Sequence, residues 1–148
     1  MTIREFEPNL AGRGLRVGVV QSRFNEDVGA GLRSGCLAEL TRLGVADSDI
    51  TFTTVPGALE LPLTLQTMAQ SGCFDARVAL GAVIRGETYH FEIVSNESAR
   101  GIMDLAVGKR LAIGNGILTV EDESQAWARA KASEGDKGGG AARAALDM

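Results

Sequence analysis

Hydrophobic residues along the chain fall into two kinds of run. Short apolar stretches rich in β-branched residues, Leu15–Val20 (LRVGVV), Ile50–Val55 (ITFTTV), Ala76–Gly86 (ARVALGAVIRG) and Leu111–Val120 (LAIGNGILTV), have the length and residue types of strands. Between them lie longer segments in which apolar positions recur every three or four residues, the period of a helix buried along one side. Val28, Leu32, Cys36, Leu40 and Leu43 form the first such stripe, which ends at Gly44, and Leu61, Leu65 and Met68 form the second, up to Ser71-Gly72. Pro62 suits the first turn of that second helix, which leaves Ala58, Leu59 and Glu60 in the connecting loop. Thr88 is placed to cap a third helix with Phe91, Val94, Ser98, Ile102 and Leu105 on one side. Asp122 and Gln125 have the spacing of a capping box ahead of a fourth, and after the break "EGDKGGG" the segment "AARAALDM" reads as a short last helix.

This order, βαβαβαβαα, predicts an α/β fold with a four-stranded parallel sheet, right-handed crossovers and helices on both faces. The third run shows almost no polar alternation and belongs at the sheet centre, covered on both sides. One domain spanning residues 1–148 is expected, with a loose segment at 1–14. Ligands of such folds bind beyond the carboxyl ends of the strands.

Composition narrows the function. With 45% hydrophobic and 23% charged residues the chain can build an ordinary core, and its net charge of −4 with no basic cluster argues against a nucleic-acid surface. Cys36 and Cys73 have no metal-ligand or redox spacing and read as buried thiols in a reducing compartment. The opening "MTIREFEPNL" lacks the apolar core of a secretory leader, and no apolar run approaches the roughly 20 residues of a membrane span. A cytoplasmic protein without membrane association is expected.

Four polar segments follow the four strands: "SRFN", "PGALE", "RGETYH" and "TVEDE". In a parallel sheet they share one edge. The third holds the chain's one histidine, His90, just after Gly86 and at a helix start where the N–H groups of Glu87, Thr88 and Tyr89 suit a phosphate. On pattern alone an anion site and a plain helix start with a surface histidine are equally good readings. Phe24 can stack on a planar heterocycle or fold over the sheet edge. Glu60 can accept hydrogen bonds from ligand hydroxyls or be a solvated first-turn acid. Arg129 and Lys137 flank the glycine-rich break and can hold an anion, although "GDKGGG" lacks P-loop spacing. "GNG" (Gly114–Gly116) lies within a strand and fits a bulge or close packing better than a dinucleotide fingerprint. A single histidine excludes a two- or three-histidine zinc site within one chain.

Taken together, "SRFN", "VPGALELP", "ALGAVIRGETYHFEIVSNES", "GNGILTVEDESQAWARA" and "DKGGGAA" resemble the 6,7-dimethyl-8-ribityllumazine synthase family, in family order and from about Leu15 to the C-terminus. The resemblance implies a flavodoxin-like three-layer sandwich assembled as a pentamer or a multiple of pentamers, with riboflavin synthase a further candidate partner. It implies a transferase-class reaction of riboflavin biosynthesis, in which 5-amino-6-(D-ribitylamino)uracil condenses with 3,4-dihydroxy-2-butanone 4-phosphate without metal or redox cofactor. By the same resemblance Phe24 stacks on the pyrimidine, Ala58, Leu59 and Glu60 hold the ribityl chain, and Val83 and Ile84 line the substrate site. Glu87 and Thr88 form the phosphate turn, His90 transfers protons, and Arg129 and Lys137 reach the phosphate from a neighbouring subunit. Many relatives carry an aromatic where Asn115 stands, so that wall of the site is small and polar here. A ligand carrier without turnover on the same scaffold, and a non-catalytic sugar-phosphate module, are the competing functions.

Overall fold

The computed structural model describes residues 2–148. Four strands, β1 (Val17–Ser22), β2 (Ile50–Val55), β3 (Ala76–Ile84) and β4 (Ile113–Val120), form one parallel sheet in the order β2-β1-β3-β4. The helices are α1 (Glu26–Arg42), α2 (Leu61–Ser71), α3 (His90–Gly108), α4 (Glu123–Ala130) and α5 (Lys137–Asp147). Side chains of Val17, Val19, Val78, Leu80 and Leu118 pack with α1, α4 and α5 on one face, and Val20, Ala79 and Ile117 pack with α2 and α3 on the other. The architecture is therefore the expected three-layer α/β fold, with β3 between β1 and β4 and its first seven residues fully buried.

Strand and helix starts moved where local chemistry outweighed hydrophobicity. β1 begins at Val17 rather than Leu15, because Arg16 is turned aside by Asp75, whose carboxylate accepts the Arg16 N–H at 2.8 Å and pairs with its guanidinium at 3.3 Å. β4 begins at Ile113 after a left-handed residue, Arg110 at φ 53°. Thr88 does not cap α3: the residue before that helix is Tyr89, and no side chain closes its N-terminus. Asp122 does cap α4, accepting the Gln125 N–H at 2.8 Å, while Gln125 Oε1 accepts the Glu121 N–H at 2.8 Å. The segment Ala58–Glu60 is a single 3₁₀ turn rather than an irregular loop.

The largest departure concerns the glycine run. "KGGG" is not a break but the first turn of α5, capped by Asp136 through the Gly139 N–H at 3.2 Å. The glycines are there for packing: a Cβ on Gly138 would stand 2.0 Å from the Leu32 carbonyl oxygen of α1, and one on Gly114 of β4 would stand 1.9 Å from that of Ala141. α5 thus lies with its backbone against both a helix and a strand, which sequence propensity, counting three poor helix formers in a row, does not reveal. The cysteines also divide. Cys36 is buried in the α1 stripe, whereas Cys73 is exposed, because the chain turns outward after Gly72 at the end of α2.

Candidate active site

The carboxyl ends of β1, β2 and β3 open into one cleft of about 350 Å³. From β1, the Arg23 N–H continues the sheet by donating to Val55 O at 2.9 Å, and the chain then turns at Asn25, left-handed at φ 59°. Asn25 Nδ2 donates to Ala82 O at 2.9 Å, tying this turn to the end of β3. Phe24 is thereby held out into solvent, 71% exposed, with its ring edge against Gly57, where a Cβ would lie 3.3 Å from the ring. An aromatic exposed to that extent is not part of the core, and its ring stands at the mouth of the cleft.

From β2, Pro56-Gly57 leads into the 3₁₀ turn, which Glu60 closes by accepting the Gly57 N–H on Oε2 at 3.1 Å. That hydrogen bond fixes the carboxylate at the cleft wall, and among the described residues no hydrogen bond engages its other oxygen. β3 contributes Ala82, Val83 and Ile84, and Gly86 follows with nothing within 4 Å of where its Cβ would be. No internal contact and no left-handed backbone requires glycine at 86, so the open space there is available to whatever occupies the cleft. Thr88 and His90 complete this wall with Phe91 and Val94. Among the described residues, the N–H groups of Glu87, Thr88 and Tyr89 donate to no backbone acceptor, as an anion-binding helix start requires.

Of the residues read from sequence, Phe24, Ala58, Leu59, Glu60, Val83, Ile84, Thr88 and His90 line this cleft, and Glu87 is exposed beside it. Asn115, Arg129 and Lys137 do not. Asn115 is exposed on the edge strand β4, where its Oδ1 accepts the Ile117 N–H at 3.0 Å. Arg129 lies in the last turn of α4, donating to Gln125 O at 3.0 Å, and Lys137 opens α5; both helices cover the other face of the sheet from α2 and α3. Asn25, Gly57, Phe91 and Val94 line the cleft without having been singled out. Phe91 and Val94 look like core because they share the helical stripe of Ile102. Asn25 carried a readable signal, an Asn directly before an acidic helix start. Among the described residues, no three His, Cys, Asp or Glu side chains gather as a metal-binding set.

Residues 14–148 match the family model described as 6,7-dimethyl-8-ribityllumazine synthase. The chain belongs to the lumazine synthase family. Among similar proteins, the 6,7-dimethyl-8-ribityllumazine synthase of Nitrosomonas europaea is 58% identical over 99% of this chain and 87% of its own length. That of Chromobacterium violaceum is 57% identical over 99% of this chain and 92% of its own, and that of Azoarcus sp. is 58% identical over 99% and 91%. Membership accounts for the whole of the sheet and its cleft, since only residues 1–13 fall outside the match. Four strand ends were expected to converge, but only three supply cleft walls, and the segment after β4 does not line it. Its two basic candidates are displaced to the far helices. No helix among the described residues is long and apolar enough to cross a membrane.

Proposed function

We propose that this chain condenses 5-amino-6-(D-ribitylamino)uracil with 3,4-dihydroxy-2-butanone 4-phosphate to 6,7-dimethyl-8-ribityllumazine, releasing phosphate and water, in the cytoplasm. The observation that carries the reading is that Phe24, Glu60 and His90, which follow three different strands, meet at one cleft in a chain that matches the family from residue 14 onward. The ring of Phe24 takes the pyrimidine face, the turn Ala58–Glu60 takes the ribityl hydroxyls, and the N–H groups after Gly86 take the phosphate. Val83 and Ile84 supply the apolar floor. His90, one step into α3, moves protons as the amine adds to the ketone, water leaves and phosphate is eliminated. Such steps need orientation and one titratable group more than a strong nucleophile.

Among the described residues no Lys or Arg lines the cleft of one chain, and Arg129 and Lys137 supply the cation for the phosphate from a neighbouring copy. The exposed apolar side chains Ile93, Met103 and Val107 of α3 and Leu63 of α2 support association between copies, and the family resemblance supplies the pentamer as its form. Asn115 approaches the ring from the same neighbour: with Oδ1 held by the Ile117 N–H, its NH₂ is the group left to donate to a ring carbonyl. Riboflavin synthase, which consumes the product, is a candidate partner. Mixing the protein with both substrates and following lumazine fluorescence tests the reading. A rate no higher than the uncatalysed one, with both ligands still bound, overturns it in favour of a carrier. Light scattering tests the assembly, and a monomer would remove Arg129 and Lys137 from the site.

A further inference from the structure

Arg85 stands between β3 and α3, beside the cleft but not in its lining, and it holds three elements together. Its backbone N–H donates to Val120 O at 2.9 Å, carrying the β3–β4 ladder one residue past Ile84. Its Nε donates to Glu121 Oε2 and its Nη1 to Glu92 Oε1, each at 2.6 Å. The guanidinium carbon lies 4.3 Å from the centroid of the Phe91 ring. Glu121 directly follows β4, ahead of the Asp122 cap of α4, and Glu92 is in the first turn of α3, two residues after His90. A planar guanidinium with carboxylates on its edges and an aromatic ring on its face uses binding modes that an ammonium cannot reproduce together. The Glu92 and Glu121 carboxylates raise the Arg85 pKa above its ordinary value, and Arg85 in turn lowers that of Glu92, so each member of the Arg85–Glu92 pair favours the charged form of the other.

One guanidinium between two carboxylates leaves the cluster negative, so Arg85 is not a receptor for the phosphate. Its effect is geometric. No side chain caps α3, and Phe91 and His90, which both line the cleft, belong to the turn that Arg85 grips. We propose that Arg85 is a positioning residue, which fixes the first turn of α3 against the ends of β3 and β4 and so sets the His90 imidazole and the Glu87–Tyr89 N–H groups for reaction. The inference rests on the activity proposed above, and a displacement of the imidazole by as little as an ångström is enough to slow catalysis about a hundredfold.

Arg85→Lys and Arg85→Gln would be compared with the unaltered protein in steady-state kinetics on both substrates and in amide hydrogen exchange without ligand. Glu92→Gln, which removes one arm of the clamp, serves as a second route should an Arg85 variant fold poorly. The expected result is a kcat lower by about ten- to a hundredfold with KM for the pyrimidine unchanged, little recovery in Arg85→Lys, and faster exchange confined to Gly86–Val94. An unchanged kcat in a folded Arg85→Gln overturns the proposal while the activity stands. Exchange that rises throughout the chain, with both KM values raised, assigns Arg85 to general stability and overturns it too. If the unaltered protein shows no turnover, the activity reading fails, and the exchange measurement still decides: unaltered exchange at Gly86–Val94 in all variants overturns the clamp.

Discussion

Gly138 of α5 rests directly on the backbone of α1, with the position of its absent Cβ only 2.0 Å from the Leu32 carbonyl oxygen. Two residues on, the same position on Gly140 meets nothing nearer than Arg143 Nη2 at 3.7 Å. The two glycines therefore respond oppositely to one added methyl. Gly138→Ala forces the helices apart and is expected to destabilise by about 1–3 kcal/mol or more, whereas Gly140→Ala, with room and a better helix former, is expected to stabilise by about 0.5–1 kcal/mol. Urea denaturation midpoints of the two variants check this, and equal effects would mean that α1 and α5 are not in backbone contact.

For His90, the position at the cleft wall predicts that His90→Ala lowers kcat by about 10²–10⁴-fold with much less change in substrate affinity. Stopped-flow formation of the lumazine chromophore, with ligand binding measured separately, checks the division. Unchanged turnover would return this histidine to the ordinary role of a helix-surface side chain.

Among the described residues Arg129 donates only to a backbone carbonyl of its own helix, so its remaining N–H groups can meet a phosphate. Arg129→Ala is expected to raise KM for the butanone phosphate about tenfold or more, the worth of one charge-assisted hydrogen bond, and to leave KM for the pyrimidine unaltered. Equal losses for both substrates, together with a smaller particle in light scattering, would point to assembly instead.

The succession of strands and helices, the helical stripes and the pieces of the cleft were legible because each rests on local pattern: β-branched runs, four-residue spacing, a Pro and a Gly at helix ends. What the sequence hid was contact between distant backbones. Nothing in "DKGGG" announces that its glycines face Leu32, and nothing in "LAIGNG" that Gly114 faces Ala141, since a missing side chain leaves no periodic mark. Thr88 has the right chemistry for a cap and lies near the helix start, yet the turn is secured by Arg85 from the preceding strand. Asn115, Arg129 and Lys137 are legible as chemistry but lie away from the cleft within one chain, because their elements cover the edge and the other face of the sheet.

The two thiols are expected to differ sharply. Burial, with the Asp136 carboxylate nearby, pushes the Cys36 thiol up to about 12, so the thiolate that reacts is almost absent at neutral pH, while Cys73 is open to solvent. A thiol reagent should label one cysteine in the native protein and the second only after unfolding. Rapid labelling of both without denaturant would show that the α1–α5 seam opens.

Glu39 of α1 is nearly buried and pairs with Arg42 of its own helix and Arg143 of α5. The Arg42 hydrogen bond, assisted by Arg143 and opposed by burial, holds its carboxyl below the ordinary glutamate value. The folded protein thus keeps this group ionised where the unfolded chain would protonate it. Its contribution is complete above about pH 4.3 and disappears as the pH falls through the lower folded value. Glu39→Gln should be less stable than the parent at pH 7, with the gap closing below that point. A gap that stays constant down to pH 3 would show that the pairing carries no linked proton.

The Asn115 side chain also bears on how copies of this chain can meet. By taking the Ile117 N–H of the outermost strand for itself, it removes a donor that another strand would need to extend the sheet. A strand added outside β4 would have to do without that donor, so the outer edge of the sheet is a poorer template for backbone pairing than an open ladder would be.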